Sequence, residues 1–177
     1  MARTRAEKSR ISCQTARLFG ALALLHGLRR GEILGLTWER VRLDTMEVVV
    51  SATRSKGRRD RTLPMAPELA EVLNEWRSRQ ATIPLTGQVL PWPFESYRRL
   101  YDDWHVIQKA AGIAGERRYV PKDCRSSCAS ELIASGVPTA VVKDFLGHAS
   151  VTTTERYYIN TQPALRAAVA ARKVRLA

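Results

Sequence analysis

Four short stretches hold most of the side chains suited to chemistry: "HGLRRGEI", "TRSKGRRDRTLP", "PKDCR" and "LGHASVTTTERYY". The last is the most informative. It sets one histidine, His148, a run of hydroxyl residues and an arginine ahead of two adjacent tyrosines, Tyr157 and Tyr158. One of the pair reads as a packing residue and the other as a reagent, and the remaining stretches must then supply what a reactive phenol needs. Taken singly, each stretch has an ordinary structural reading. Arg29 and Arg30 suit a solvated helix start, Lys56 is one of five basic residues in a solvent-facing hairpin loop, and Arg125 has Asp123 and Glu131 as nearby salt-bridge partners.

The elements that must position these side chains follow from periodicity. Apolar residues at helical spacing from Leu18 through Leu25 predict a helix that breaks at Gly27, and a second short helix fits Arg30 to Leu36. The period then changes. Val41 and Leu43, a turn near Asp44, the β-branched run Val48 to Val50 and a returning strand that ends at Pro64 predict a small antiparallel sheet. Pro67 opens an amphipathic helix running to about Arg79, and the three prolines of "ATIPLTGQVLPWP" mark a connection. Helices then fit Glu95–Ala111, Lys122–Ser135, Pro138–Leu146, Val151–Tyr158 and Pro163–Arg172, with Gly112, Gly136 and Gly147 as stops. The fold class is therefore α+β and mainly α, a helical domain with a small antiparallel β-sheet.

Composition bounds the function classes. A chain of 177 residues with 45% hydrophobic side chains buries one ordinary core, so one compact domain is expected. No apolar run approaches the roughly 20 residues of a membrane span, and "MARTRAEKSR" lacks the apolar block of a signal peptide, which predicts a soluble, cytoplasmic protein with no membrane partner. Cys13, Cys124 and Cys128 are an odd number without metal-ligand pairing; Cys124 and Cys128, one helical turn apart, are expected as small buried core residues. The net charge of +12 favours a polyanionic partner, although the two ends of the chain carry +7 of it and the body only +5.

In this order and spacing the four stretches resemble the catalytic domain of the tyrosine recombinases, the phage integrase family. The resemblance runs from Leu22 to Tyr158. The family's Gly-Leu-Arg-x-x-Glu is met by Gly27, Leu28, Arg29 and Glu32. Its hairpin lysine ahead of an "R-T-x-P" strand is met by Lys56, eight residues before Pro64; its His-x-x-Arg by Lys122 and Arg125; its Leu-Gly-His by His148; and its nucleophile, nine residues further on, by Tyr157. Tyr158 lies about 100° around the same helix and is expected to pack or to touch a DNA backbone.

The resemblance implies a mechanism. A phenol of pKa about 10 attacks a phosphodiester that is already anionic, through a transition state that gains further charge. Arg29 and Arg125 would present forked guanidiniums to the non-bridging oxygens, Lys56 would protonate the departing 5′-oxygen, and His148 would donate a hydrogen bond to the phosphate. The product is a 3′-phosphotyrosine that a second 5′-hydroxyl can reseal, so neither a cofactor nor a metal is implied. The sequence agrees, having no Walker-type glycine loop and no cluster of carboxylates for two magnesium ions. Glu32 would orient Arg29 or its neighbours, a plain helix N-terminal charge being the equal alternative.

Two features depart from the family pattern. Lys122 stands where histidine is usual, and an ammonium is a proton donor at neutral pH, so electrostatic stabilisation is the expected role. Only about twenty residues precede the first family helix, against a usual N-terminal helical domain that closes round the DNA. The organisation expected is a basic tail at 1–14, the catalytic domain at 15–162 and a C-terminal helix at 163–177 open to exchange between protomers. The function implied is site-specific recombination (integration) on double-stranded DNA with self-association, a tetramer in the full assembly. The alternatives are strand relaxation of the type IB topoisomerase kind and a catalytically silent DNA-binding remnant.

Overall fold

The computed structural model describes residues 5–51, 60–79, 87–90, 101, 104–106, 108–109, 112–113, 119–148 and 150. Its backbone divides into two units, residues 1–128 and 129–177. The expected helices at 151–158 and 163–172, most of the one at 95–111, and the hairpin tip with Lys56 lie outside the described residues.

The first unit opens with α1, Arg5–Leu25. The apolar spacing that predicts this helix starts only at Leu18, but residues 5–17 hold no glycine or proline and eight of the thirteen are Arg, Ala, Glu, Lys or Gln, so the helix begins thirteen residues earlier, inside the expected tail. Thr15, Ala16, Leu18, Phe19, Leu22 and Ala23 form its buried face at helical spacing. Gly27, at φ 58, then reverses the chain in a conformation that side-chain-bearing residues rarely adopt. The short α2, Arg30–Leu34, follows.

A 3-10 turn at Trp38–Arg40 leads into three strands, β1 (Val41–Arg42), β2 (Glu47–Val50) and β3 (Arg61–Pro64), paired antiparallel in that order. Val48 faces Leu63 and Val50 faces Arg61, so Val48, Val50 and Leu63 share the buried side. The helix α3, Pro67–Arg79, buries Leu69, Ala70, Leu73 and Trp76 and packs on α1, with Arg17 and Glu75 paired across the two at 2.9 Å. Trp76 donates its indole N–H to the Val89 carbonyl at 2.7 Å, which ties residues 87–90 to the same core. Residues 101, 104–106 and 108–109 are helical, and Trp104 is buried.

The next helix, α4, spans Pro121–Ala134 and runs from the first unit into the second. Cys124 and Cys128 are buried, as the sequence predicts. Burial, with the Asp123 charge beside it, pushes the Cys124 thiol up to about 11. At pH 8 roughly one thiol in a thousand is then thiolate. Iodoacetamide is accordingly expected to leave Cys124 unlabelled in the folded chain and to label it fully in denaturant, read by peptide mass mapping; fast labelling of the folded chain would refute its burial.

In the second unit α4 ends at a glycine, and α5 spans Thr139–Leu146. Ala129, Val142 and Leu146 form its core, with Leu132, Ile133, Val137 and Phe145 packed around them. The predicted stops Gly112, Gly136 and Gly147 all have positive φ. Among the described residues no helix is long and apolar enough to cross a membrane.

Candidate active site

The residues of the first stretch are placed by one carboxylate. Arg29 is the N-cap of α2, extended at φ −70 and ψ 150, and Glu32 is the third residue of that helix. A five-residue helix does not hold itself together, and here Glu32 reaches back to accept the Arg29 backbone N–H at 2.7 Å, the reciprocal half of a capping box. The same carboxylate takes Arg29 Nη1 at 3.1 Å and both terminal nitrogens of Arg61, Nη1 and Nη2, at 3.0 Å each. Its side chain is 1% exposed.

Arg125 arrives from the other end of the unit. It lies one turn into α4, whose start is fixed by Pro121 and by Asp123, which accepts the Val120 N–H at 2.8 Å. Arg125 is buried and donates Nη1 to the carbonyl of Gly27, and the same nitrogen lies 3.9 Å from Glu32 Oε2. Its ionic partner is therefore Glu32 rather than the sequence neighbours Asp123 and Glu131. Arg29, Arg61 and Arg125 thus converge on a single carboxylate, Glu32, from three distant segments.

Burial alone would raise the Glu32 pKa. The Arg61 hydrogen bonds, the Arg29 backbone N–H and the charges of Arg61 and Arg29 outweigh it and hold the carboxyl below its ordinary value, so Glu32 is an anion at neutral pH. Glu32 thus accepts the N-cap N–H of α2 and is paired with the Arg29 guanidinium.

Strand β3 is fastened at its other end as well. His26, 1% exposed, donates Nε2–H to the Pro64 carbonyl at 2.9 Å. A carbonyl only accepts, so this nitrogen carries the proton. Burial lowers the His26 pKa and outweighs the opposing hydrogen bond, which keeps the ring neutral.

Of the six expected catalytic positions, Arg29 and Arg125 are brought together. Lys122 is on the same helix, three residues before Arg125, and is exposed. His148 lies in the second unit, where its position follows from the Leu-Gly-His sequence. Gly147 ends α5 in the left-handed conformation, at φ 65 and ψ 46, with its N–H on the Asp144 carbonyl at 3.0 Å and the His148 N–H on the Lys143 carbonyl at 2.9 Å. That is the Schellman pattern, and it sets the histidine at a fixed step beyond the helix. Lys56 and Tyr157 lie outside the described residues.

Sequence reasoning counts Arg61 among the basic residues of the hairpin and as the first residue of the "R-T-x-P" strand, without a role in the site, and gives His26 no role. Each had a cue. Arg61 shares its face of β3 with the buried Leu63, and His26 continues the buried helical phase of Leu22 and Ala23.

The sequence profile described as the phage integrase family matches residues 4–164. Tyrosine recombinase XerD of Mycobacterium tuberculosis (strain ATCC 25618 / H37Rv) is 33% identical over 160 residues, 86% of this chain and 50% of that protein. Tyrosine recombinase XerD of Neisseria meningitidis serogroup B (strain ATCC BAA-335 / MC58) is 29% identical over 135 residues, 74% of this chain and 45% of that protein. The chain spans about half the length of the curated relatives it matches. Among solved structures, the XerA recombinase superposes with a TM-score of 0.67 at 22% identity, over 99% of this chain and 66% of that one. The catalytic domain of bacteriophage HP1 integrase gives 0.58 at 19% identity, over 97% and 95%. At these identities the structures show a shared fold, the mainly helical domain with a small antiparallel sheet that the sequence predicts.

Proposed function

Because the chain belongs to the phage integrase family, we propose that it cleaves and rejoins DNA strands in site-specific recombination, through a 3′-phosphotyrosine intermediate. The observation that carries this reading is the convergence of Arg29 and Arg125 on the buried Glu32. Two guanidiniums held by one carboxylate form a rigid cationic seat suited to the non-bridging oxygens of a phosphodiester.

In the mechanism, Tyr157 attacks the scissile phosphorus, the bond to the 5′-oxygen breaks, and Lys56 gives that oxygen its proton. Arg29, Arg125 and His148 carry the charge of the transition state, and Lys122 adds electrostatic support. No cofactor or metal takes part. Double-stranded DNA is the substrate, and solved relatives support the assignment: the XerH recombinase is bound to its difH substrate, and the Tn1549 integrase is in complex with transposon DNA. Two-site exchange would need several copies on DNA, with the 163–177 segment as the element passed between neighbours.

The test is incubation with a nicked duplex, followed by denaturing electrophoresis and peptide mass mapping. A covalent adduct on Tyr157 is expected. An adduct on Tyr158, or none on any nicked or mismatched duplex, rejects this reading.

A further inference from the structure

The entry to α4 is held from two sides. The buried Gln108 donates its amide Nε2–H to the Tyr119 carbonyl at 2.7 Å, and Asp123 accepts the Val120 N–H at 2.8 Å. That carbonyl and that N–H belong to one peptide unit. The unit is planar and its two polar groups point in opposite directions, so bonds at both ends fix the plane in which it lies. Asp123 belongs to α4 itself, and it also donates its own N–H to the Val120 carbonyl at 2.8 Å. The bond from Gln108 is therefore the one that ties the entry to the preceding helix.

Gln108 stands on a fixed base. The Ile113 N–H meets the Gln108 carbonyl at 2.9 Å and the Gly112 N–H meets the Lys109 carbonyl at 3.2 Å, with Gly112 at φ 70, the Schellman pattern of a helix end. From that base the side chain reaches a residue eleven positions ahead. A connection of such length limits only how far apart its ends can lie, so the amide bond selects where α4 begins.

We propose that Gln108 is a positioning residue for Lys122: by holding the Tyr119–Val120 peptide it fixes the first turn of α4, on which Lys122 stands two residues after Val120. Lys122 is exposed, and its ammonium ends a flexible four-carbon stem, so the region in which its charge can act is set by its backbone. Arg125 has a separate hold, Nη1 on the Gly27 carbonyl, which remains when Gln108 is lost. The two cations at the His-x-x-Arg positions thus answer to different anchors. Gln108 acts through the helix, without touching the phosphate.

The inference takes the charge-stabilising role of Lys122 from the proposed function, and the test keeps the two apart. Single-turnover adduct formation on a nicked duplex, noncovalent duplex affinity, thermal unfolding and amide hydrogen exchange are measured for the whole chain and for Gln108→Met, Lys122→Ala and the double variant. Gln108→Met keeps the length of the side chain without its donor. Its adduct rate at saturating duplex is expected to fall roughly 10-fold to 100-fold, the scale of a small misplacement in a catalytic group, with duplex affinity unchanged. In the double variant the rate matches that of Lys122→Ala, because a charge that is absent cannot be misplaced. A loss that merely reflects a weakened fold would repeat in the Lys122→Ala background; that result, or an unchanged Gln108→Met rate, overturns the proposal. Exchange supplies a readout that needs no chemistry. The Val120 and Asp123 amides should exchange about tenfold faster in Gln108→Met while those of α3 keep their rates, and unchanged Val120 and Asp123 amides reject the role of Gln108. If Gln108→Met does not fold, Gln108→Asn serves, its amide a methylene short of the Tyr119 carbonyl; the same pattern is expected, and failure of both to fold makes Gln108 a core residue and overturns the proposal. A parent chain that forms no adduct while its variants show this exchange pattern sinks the functional reading and leaves the hold of Gln108 on Lys122 standing.

Discussion

Arg125→Ala slows strand cleavage by about a thousandfold and leaves the chain folded; that is the outcome expected from a single-turnover assay on a nicked duplex with a parallel thermal melt. Removing one preorganised donor from a developing oxyanion costs about 10²–10³ in rate, and Arg125 supplies a fork rather than one donor. The cost to folding is smaller. The Gly27 carbonyl, buried in the α1–α2 turn, loses its donor, which costs on the order of 1–3 kcal/mol. Arg125→Lys keeps the charge but not the fork and should recover only part of the rate. If Arg125→Ala cleaves within tenfold of the parent chain, the guanidinium cluster does not seat the scissile phosphate.

Glu32→Gln acts chiefly on stability. It leaves the half-buried guanidinium of Arg61 and the buried one of Arg125 facing a neutral amide, and breaking a buried ion pair from one side costs about 3–5 kcal/mol. The parent chain should show a matching acid sensitivity. The folded pKa of Glu32 lies below its ordinary 4.5, so the unfolded chain takes up the proton first. The stability Glu32 contributes is then complete above that value and is lost as pH falls toward the folded value. His26 adds an earlier phase of the same sign. Its folded pKa lies below the ordinary 6.5, so its contribution is complete above about 6.5 and erodes as pH falls from there. Urea melts from pH 8 to pH 3 should thus show two declines in the parent chain, and only the upper one in Glu32→Gln. An unchanged lower decline would place its origin in other carboxylates.

Much of this was legible in the sequence because local chemistry decides it. Glycine stops fall where the backbone takes positive φ, the β-branched run Val48 to Val50 lies in β2 and the returning strand ends at Pro64, and α3 begins at Pro67 and ends at Arg79 as its pattern requires. The first residues of α1 were not legible as helix, because their sequence carries no apolar stripe and their charge reads equally well as a tail. The partner choices were the least legible. Arg125 has acidic residues two before and six after it in sequence, yet its carboxylate is Glu32, 93 residues away along the chain. Sequence spacing ranks such partners by proximity along the chain, and only the packed fold ranks them by proximity in space. Arg61 was harder to single out: among five basic residues of the hairpin, only its two-residue step from Leu63 on β3 sets it apart.

The 98-residue separation between Gly27 and Arg125 also bears on the order of assembly during synthesis. Arg29, Glu32 and Arg61 lie within 33 residues and are joined by short-range closure, so their cluster can form as soon as β3 has left the ribosome. Arg125 comes only with α4, later in elongation. A nascent chain that has folded only as far as β3 carries Glu32 with Arg29 and Arg61 but not Arg125, so the phosphate seat proposed above is completed only once α4 has emerged.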